Sequence, residues 1–413
     1  MIRILIADDS AFMRKVLTDL FKAQSDFEVV GTAINGRDAI EKVKKYHPDL
    51  LTMDVQMPVM DGLNALAVIM EIAPMPVVML SSLTKEGTDE TIRALSLGAI
   101  DFISKAGGSI SRIDTIEEDI LAKCRAAAKA NVKRAMKGTR AAELAEKDRR
   151  AKEKEAEKGE PPRMRHVELP TRRNPFGAKP EAEEKKSNPF GHRENPLLQK
   201  RRQTLVPHAQ PSAAAPAIKA SGAGSDKLVA IGTSTGGPQA LQSVITRLPG
   251  DLPCGVVVVQ HMPPGFTKSL ANRLDSLSKV SVKEAENGDI IEPGHVYIAP
   301  GNYHMRVTSE GSKRKIVLSQ DPPVGNHRPA VNVLYDSVAP VGKKLVAVIM
   351  TGMGCDGTEG MKKIKAQGGY SIAQDESTSV VYGMPKSVVD AGLADEVRPV
   401  TDIARAIVAA VEK

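Results

Sequence analysis

Two series of short apolar runs, each run followed by apolar residues at helical spacing, flank a polar stretch of about a hundred residues. In the first series the runs are 2–7, 29–30, 50–53, 77–80 and 100–103. Helical spacing follows at 11–23, where Phe12, Val16, Leu17 and Leu20 recur, and around 38–46, 63–72, 89–97 and 113–128. Parallel strands need a helix-sized crossover between them, so this alternation predicts a (βα)5 parallel sheet covered on both faces. The second series starts at Leu228. Strands are expected at 228–231, 254–259, 280–282, 296–299, 344–350 and near 371, with a polar-flanked hairpin at 305–308 and 315–319. Helices are expected at 240–248, 266–277 and 331–339 and in the Ala/Val-rich tail. That pattern predicts a larger, doubly wound α/β domain with a mostly parallel sheet. The expected division is 1–125, a connector at 126–226, and 227–413. Trp is absent and aromatics are 3 % of the chain, so both cores must be built from Val, Ile, Leu, Ala and Met.

No apolar run reaches the roughly 18–20 residues of a membrane span. The start, Met1-Ile2-Arg3-Ile4-Leu5-Ile6-Ala7, has no signal-peptide pattern and runs straight into acidic residues. Cys124, Cys254 and Cys355 are isolated thiols without metal-type spacing. A soluble, cytoplasmic protein without membrane insertion is expected. The net charge of +7 suggests nucleic acid until its distribution is read. Residues 1–128 are net −5, 228–413 are net +1, and 129–227 carry +11. Basicity thus belongs to the connector, as a solvated mixed-charge run or as a site for an acidic partner.

Ligands of parallel sheets gather at the carboxyl ends of the strands. In the first series those ends carry Asp8 and Asp9, Asp54, Ser81 and Lys105. Three carboxylates in one crevice repel one another and call for a hard cation such as Mg²⁺. A hydroxyl and an ammonium beside them complement phosphoryl oxygens. Taken singly, each Asp reads equally as a helix N-cap, Asp9 above all. With Met57-Pro58-x-x-Asp61-Gly62 after Asp54, this set resembles the receiver domain of two-component response regulators over about residues 1–125. The resemblance implies that Asp54 accepts a phosphoryl group from a histidine kinase. It implies that Asp9, Asp54 and the backbone carbonyl of Gln56 hold Mg²⁺, with Asp8 assisting. Ser81 and Lys105 would contact the phosphoryl group, and Phe102 would be the aromatic that changes rotamer on activation. Where that family often has Lys-Pro, this chain has Lys105-Ala106.

The connector is rich in Ala, Glu, Lys and Arg to about residue 158, which reads as a solvated, fraying helix without an apolar stripe. From 159 to 226, Pro, Lys, Arg, Asn and then Ala/Ser/Gly predominate, a composition that builds no core and predicts disorder. Asn-Pro-Phe-Gly occurs at 174–177 and 188–191, as paired docking peptides anchored by Phe176 and Phe190 or as a compositional coincidence.

Leu228-Val229-Ala230-Ile231-Gly232-Thr233-Ser234-Thr235-Gly236-Gly237 places one hydroxyl at the turn from a strand into a helix. Two chemistries use such a loop: a nucleophile on a sharp bend, or a backbone cradle for phosphate. A phosphate loop needs Lys and Ser/Thr after the glycines, but Pro238 and Gln239 follow. A dinucleotide site wants an acid at the next strand end, which instead holds Gln260-His261. A later strand closes in Thr351-Gly352-Met353-Gly354-Cys355-Asp356-Gly357. Ser234, His261 and Asp356 therefore share one sheet edge, where an imidazole can take the serine proton and a carboxylate can orient the imidazole. Their order differs from the Ser…Asp…His of α/β-hydrolases, so that fold is not implied.

These stretches, with Tyr297-Ile298-Ala299-Pro300-Gly301 and Gln374 through Pro385, resemble the chemotaxis protein-glutamate methylesterase and glutamine deamidase (CheB) family. Only the connector falls outside the resemblance, being longer than the family's usual linker. The family implies Ser234 as nucleophile, His261 as base and Asp356 as orienting acid, with N–H groups near Thr235 and Met353 lining an oxyanion hole. It implies chemoreceptors as substrate, no cofactor for the ester chemistry, and activation by phosphorylation. A different class of reading makes the second domain a non-catalytic nucleotide- or DNA-binding output module. Its sole support is the basic connector, since no base-reading segment follows and no nucleic-acid partner is expected.

Overall fold

The computed structural model describes residues 1–82, 84–105, 113–130, 226–311 and 313–413. The expected fraying helix beyond residue 130, the low-complexity connector up to residue 225 and both Asn-Pro-Phe-Gly copies lie outside the described residues.

In the first region β1 (Ile2–Ala7), β2 (Phe27–Ala33), β3 (Leu50–Asp54), β4 (Val77–Ser82) and β5 (Asp101–Lys105) form one sheet in the order β2-β1-β3-β4-β5. Every pairing is parallel. The helices are α1 (Ala11–Lys22), α2 (Gly36–Tyr46), α3 (Gly62–Ile72), α4 (Lys85–Leu97) and α5 (Ile113–Ala128). β3 is buried at every residue because it sits mid-sheet with helices on both faces. The cap of α1 is Ser10, whose hydroxyl accepts from the Met13 N–H, so Asp9 is not the cap and its carboxylate is left to the crevice.

In the second region seven strands form a sheet in the order β14-β13-β12-β6-β7-β9-β8. They are β6 (Leu228–Thr233), β7 (Gly255–Gln260), β8 (Ser281–Glu284), β9 (His295–Ile298), β12 (Leu345–Ile349), β13 (Tyr370–Gln374) and β14 (Glu396–Arg398). Their pairings are all parallel, beyond the mostly parallel sheet expected. β10 (His304–Glu310) and β11 (Lys313–Ser319) form the expected hairpin as a separate antiparallel ribbon. The helices are α6 (Gly237–Ile245), α7 (Phe266–Leu277), α8 (Val331–Val338), α9 (Thr358–Ala366), α10 (Met384–Asp390) and α11 (Val400–Glu412). The single terminal βα portion read from the sequence is two units. The three residues of β14 are a half-exposed edge strand, Glu-Val-Arg, too short and too charged to show a period.

β6 has β7 on one side and β12 on the other. The chain leaves β6 toward β7 and leaves β12 toward β13, in opposite directions, which opens a crevice beyond the carboxyl ends of β6 and β12. β6 and β7 are buried along their whole length, as strands covered on both faces must be.

The two regions pack as one compact unit. α4 lies on α6 and α7. The Phe102 ring meets that of Phe266 at 4.2 Å between centroids, and the Thr88 and Ser269 hydroxyls are 3.1 Å apart. Among the described residues no helix is long and apolar enough to cross a membrane.

Candidate active site

Ser234 directly follows β6 and is 9 % exposed. Its N–H donates to the Thr351 carbonyl at 3.0 Å, and its carbonyl accepts from the Gly237 N–H at 2.7 Å and from Gln260 Nε2 at 3.0 Å. The backbone is thus held on both sides of the bend. Gly352 lies against the serine: a Cβ there would sit 2.8 Å from Ser234 Cβ and 2.2 Å from Met384 Sδ. Gly236 is left-handed at φ +76 and so closely packed on Val380 that only glycine fits.

The β6–β7 register pairs Thr233 with Gln260, so the next residues, Ser234 and His261, leave adjacent strand ends together. Gln260 Nε2 ties them by donating to both carbonyls, and Thr233 Oγ1 donates to Gln260 Oε1 at 2.7 Å. His261 Nε2 lies 2.8 Å from Asp356 Oδ2. The same carboxylate accepts from the N–H groups of Val331 (2.6 Å), Asn332 (3.0 Å) and Gly357 (2.9 Å). Val331 and Asn332 open α8, so Asp356 also satisfies orphan donors of a helix start. Burial alone would push the Asp356 carboxyl up. The hydrogen bond and charge of His261, with the Asn332 and Val331 amides, outweigh burial and hold it below its ordinary value.

An ionised Asp356 can only accept, so His261 Nε2 carries the proton and Nδ1 is the basic nitrogen. Nδ1 is buried and has no hydrogen-bond partner. Serine proteases of the Ser-His-Asp type use the two nitrogens the other way round. His261 and Asp356 are therefore joined, whereas Ser234 Oγ makes no hydrogen bond among the described residues. Such contacts are often long in substrate-free enzymes. Thr235 is 6 % exposed and Met353 41 %. The backbone N–H of each has no acceptor among the described residues. The Thr235 side chain is taken by the first region: its Oγ1 donates to Asp101 Oδ2 at 2.7 Å. Gln239 Nε2 likewise donates to the carbonyls of Leu95 (2.8 Å) and Ala99 (3.0 Å).

The sequence reading missed His327. Its ring lies on that of His261, with centroids 3.8 Å apart and planes 12° off parallel. Nothing in the spacing of Asn326-His327-Arg328-Pro329 signals that contact, since the segment has no period.

At the first sheet's edge one oxygen from each of Asp8, Asp9 and Asp54 lies within 4.8 Å of the others. Lys105 Nζ is 2.8 Å from both Asp8 Oδ2 and Asp54 Oδ2. Burial, helped by Asp8, raises the Asp54 carboxyl against the pull of Lys105. Burial would lower Lys105, but Asp54 and Asp8 overcome it and raise the ammonium. Asp8 Oδ2 is buried and, although close to Lys105, makes no hydrogen bond of acceptable geometry. An under-satisfied buried carboxylate oxygen in an all-oxygen set fits a hard divalent cation such as Mg²⁺. Asp9, Asp54, Val55, Gln56, Gly87 and Lys105 line a cavity of about 270 Å³ beside it. Ser81 is turned toward α4: its hydroxyl donates to the Gly87 carbonyl at 3.0 Å and accepts from Thr91 Oγ1 at 2.5 Å. Phe102 is buried.

Residues 229–407 match the CheB methylesterase family model, and 4–116 match that of the response regulator receiver domain. A protein-glutamate methylesterase/protein-glutamine glutaminase of Symbiobacterium thermophilum is 46 % identical over 412 residues, covering 99 % of this chain and 97 % of the relative. One of Pyrococcus horikoshii is 41 % identical over 413 residues, covering 100 % and 94 %. The solved CheB methylesterase catalytic domain of Thermotoga maritima is 50 % identical, with a TM-score of 0.44, over 44 % of this chain and 97 % of that one.

Proposed function

Because the chain belongs to the protein-glutamate methylesterase/protein-glutamine glutaminase family, we propose that it hydrolyses glutamate methyl esters on chemoreceptors and deamidates selected glutamines there. The observation that carries the reading is the His261 Nε2–Asp356 pair, which leaves Nδ1 as base one strand end from Ser234. The division proposed is a receiver at 1–125, a connector at 126–226 and a catalytic region at 227–413.

Ser234 Oγ attacks the ester carbonyl as its proton passes to His261 Nδ1. The oxyanion forms against the N–H groups of Thr235 and Met353. His261 returns the proton to the leaving methoxide, and methanol departs from the acyl-enzyme. Water, deprotonated by the same Nδ1, then releases the glutamate and restores Ser234. With a glutamine the leaving group is ammonia and the remaining steps are unchanged. Asp356 keeps Nε2 protonated throughout and stabilises the imidazolium.

The receiver regulates this edge, with Asp54 as phosphoacceptor and a chemotaxis histidine kinase as phosphodonor. Asp9, Asp54 and the Gln56 carbonyl, assisted by Asp8, would hold Mg²⁺, which supplies positive charge for the phosphoryl oxygens when bound. Ser81 and Lys105 contact the phosphoryl group, and Phe102 follows Ser81. In the unphosphorylated chain Asp101 and the carbonyls of Leu95 and Ala99 occupy Thr235 and Gln239, next to the nucleophile. The non-catalytic output-module reading loses its ground, because the matched family is one of hydrolases.

The test is methanol release from methylated receptor membranes. Ser234→Ala should lose about 10⁴–10⁶ in kcat, as serines of such triads do. Release near the wild-type rate would sink the assignment.

A further inference from the structure

Asp356 fixes His261 at one point, Nε2. A single hydrogen bond leaves an imidazole free to rock about that contact, and rocking carries the opposite nitrogen, Nδ1, off line. His327 supplies the missing constraint, since its ring covers a face of His261 at 3.8 Å between centroids and 12° from parallel. Two nearly parallel rings in contact define a plane, and a plane together with a pivot leaves the ring little freedom.

The segment that delivers His327 is built as a rigid arm between β11 and α8. At its tip Val324 and His327 exchange backbone hydrogen bonds of 3.0 and 3.1 Å. Gly325 and Asn326 turn the chain in left-handed conformation at φ +60 and +65, the residue types that tolerate it best. Arg328 pins the arm: Nη1 donates to the carbonyls of Gln320 and Asp321, and Nη2 donates to Asn302 Oδ1 at 2.6 Å. His304, wholly buried, grips both ends of the segment, with Nε2 3.1 Å from the Pro322 carbonyl and Nδ1 accepting from the Ala330 N–H at 3.3 Å. The His327 ring itself makes no hydrogen bond among the described residues. Its one described ring contact is the stack on His261.

We infer that His327 is a positioning residue for this hydrolysis, a plate that fixes the plane of the His261 ring and with it the direction in which Nδ1 takes the Ser234 proton. The inference rests on the proposed roles of Ser234 and His261. The stack also suits the charge that develops. Burial first, and then the charge on His261, push His327 down to about 4, against opposing pulls from Asp356 and Asp119 and with a further push from Lys123. His327 therefore stays neutral when His261 takes up a proton, and offers the imidazolium an uncharged aromatic face.

The experiment compares His327→Ala and His327→Phe in the full-length chain, with Mg²⁺ and a small-molecule phosphodonor present throughout. It measures kcat and KM for methanol release from methylated receptor membranes, with Ser234→Ala as the control. Displacement of a catalytic group by about 1 Å costs on the order of 10²-fold. His327→Ala should lose kcat by roughly that factor with KM unchanged, and His327→Phe, which keeps a flat ring there, should recover most of it. Three results would overturn the inference. One is an alanine variant as fast as wild type. Another is a rise in KM at unchanged kcat, which makes His327 a substrate contact. The third is a phenylalanine variant that melts like wild type yet is as slow as alanine. Should Ser234→Ala itself release methanol at the wild-type rate, the reading of the site fails rather than the role of His327.

Discussion

The two strand-end clusters of this protein solve opposite electrostatic problems with the same topology. At the first sheet's edge three carboxylates and one ammonium crowd together, with Lys105 bridging Asp8 and Asp54. That edge is an unbalanced charge centre, stable only with cationic help and suited to reactants that bring charge of their own. At the second sheet's edge a single carboxylate is enclosed by three amide N–H groups and one imidazole. Its charge is fully used, and what remains without a partner is the Nδ1 nitrogen of His261. Parallel strand ends thus gather side chains in both places, but local hydrogen bonding decides whether the product is a crowded charge cluster or a hydrogen-bonded carboxylate–imidazole pair.

That contrast can be broken from either side. The largest effect should come from Asp356→Asn, which removes the acceptor that keeps Nε2 protonated. A loss of about 10⁴ in kcat is expected, with the far-UV spectrum unchanged, because the amide oxygen can still accept from the start of α8. If the variant keeps most of its activity, Asp356 serves only as a helix cap.

Asp54→Asn tests the charge cluster. Basal methanol release should persist while activation by a small-molecule phosphodonor vanishes. A variant still activated would move the phosphoacceptor elsewhere.

The link between the clusters is smaller in energy. A hydrogen bond to a charged acceptor is worth about 1–1.5 kcal/mol more than one to a neutral acceptor, so Asp101→Asn, which weakens the hold on Thr235, should raise unphosphorylated activity by about tenfold at most. Unchanged basal activity would show that Asp101 does not restrain the site.

The smallest expected effect concerns acid stability. The unfolded chain binds a proton on His327 near pH 6.5, whereas the folded chain binds it only at about 4. Between those values the unfolded state holds more protons, so stability falls as the pH drops, at up to about 1.4 kcal/mol per pH unit from this group. Above pH 6.5 both states are neutral and the contribution is flat. Urea midpoints at pH 7 and 5.5 should converge in His327→Phe; equal slopes in the two proteins would place the sensitivity on another group.

Much of this protein was legible in its residues because the informative signals are local. Apolar runs of strand length, separated by helical spacing, specify parallel sheets through the geometry of crossovers. Once the strands are placed, their carboxyl ends are placed, and Asp8, Asp9, Asp54, Ser81 and Lys105 fall into one group and Ser234, His261 and Asp356 into another. The glycine-rich bend after β6 likewise needs no partner to be read as a tight turn.

What tertiary structure alone decided depends on contacts between segments with no shared period. The tautomer of His261 follows from which nitrogen meets Asp356, and that depends on how α8 docks its first amides. His327 reaches His261 from a tight turn whose position depends on Arg328 and His304 anchors, 66 residues along the chain from the ring it covers. Thr235 and Asp101 stand 134 residues apart in sequence and meet only because α4 packs on α6 and α7. Strand ends tell which side chains can gather at an edge. The orientation of each ring and proton there is set by long-range packing, which no run of neighbouring residues encodes.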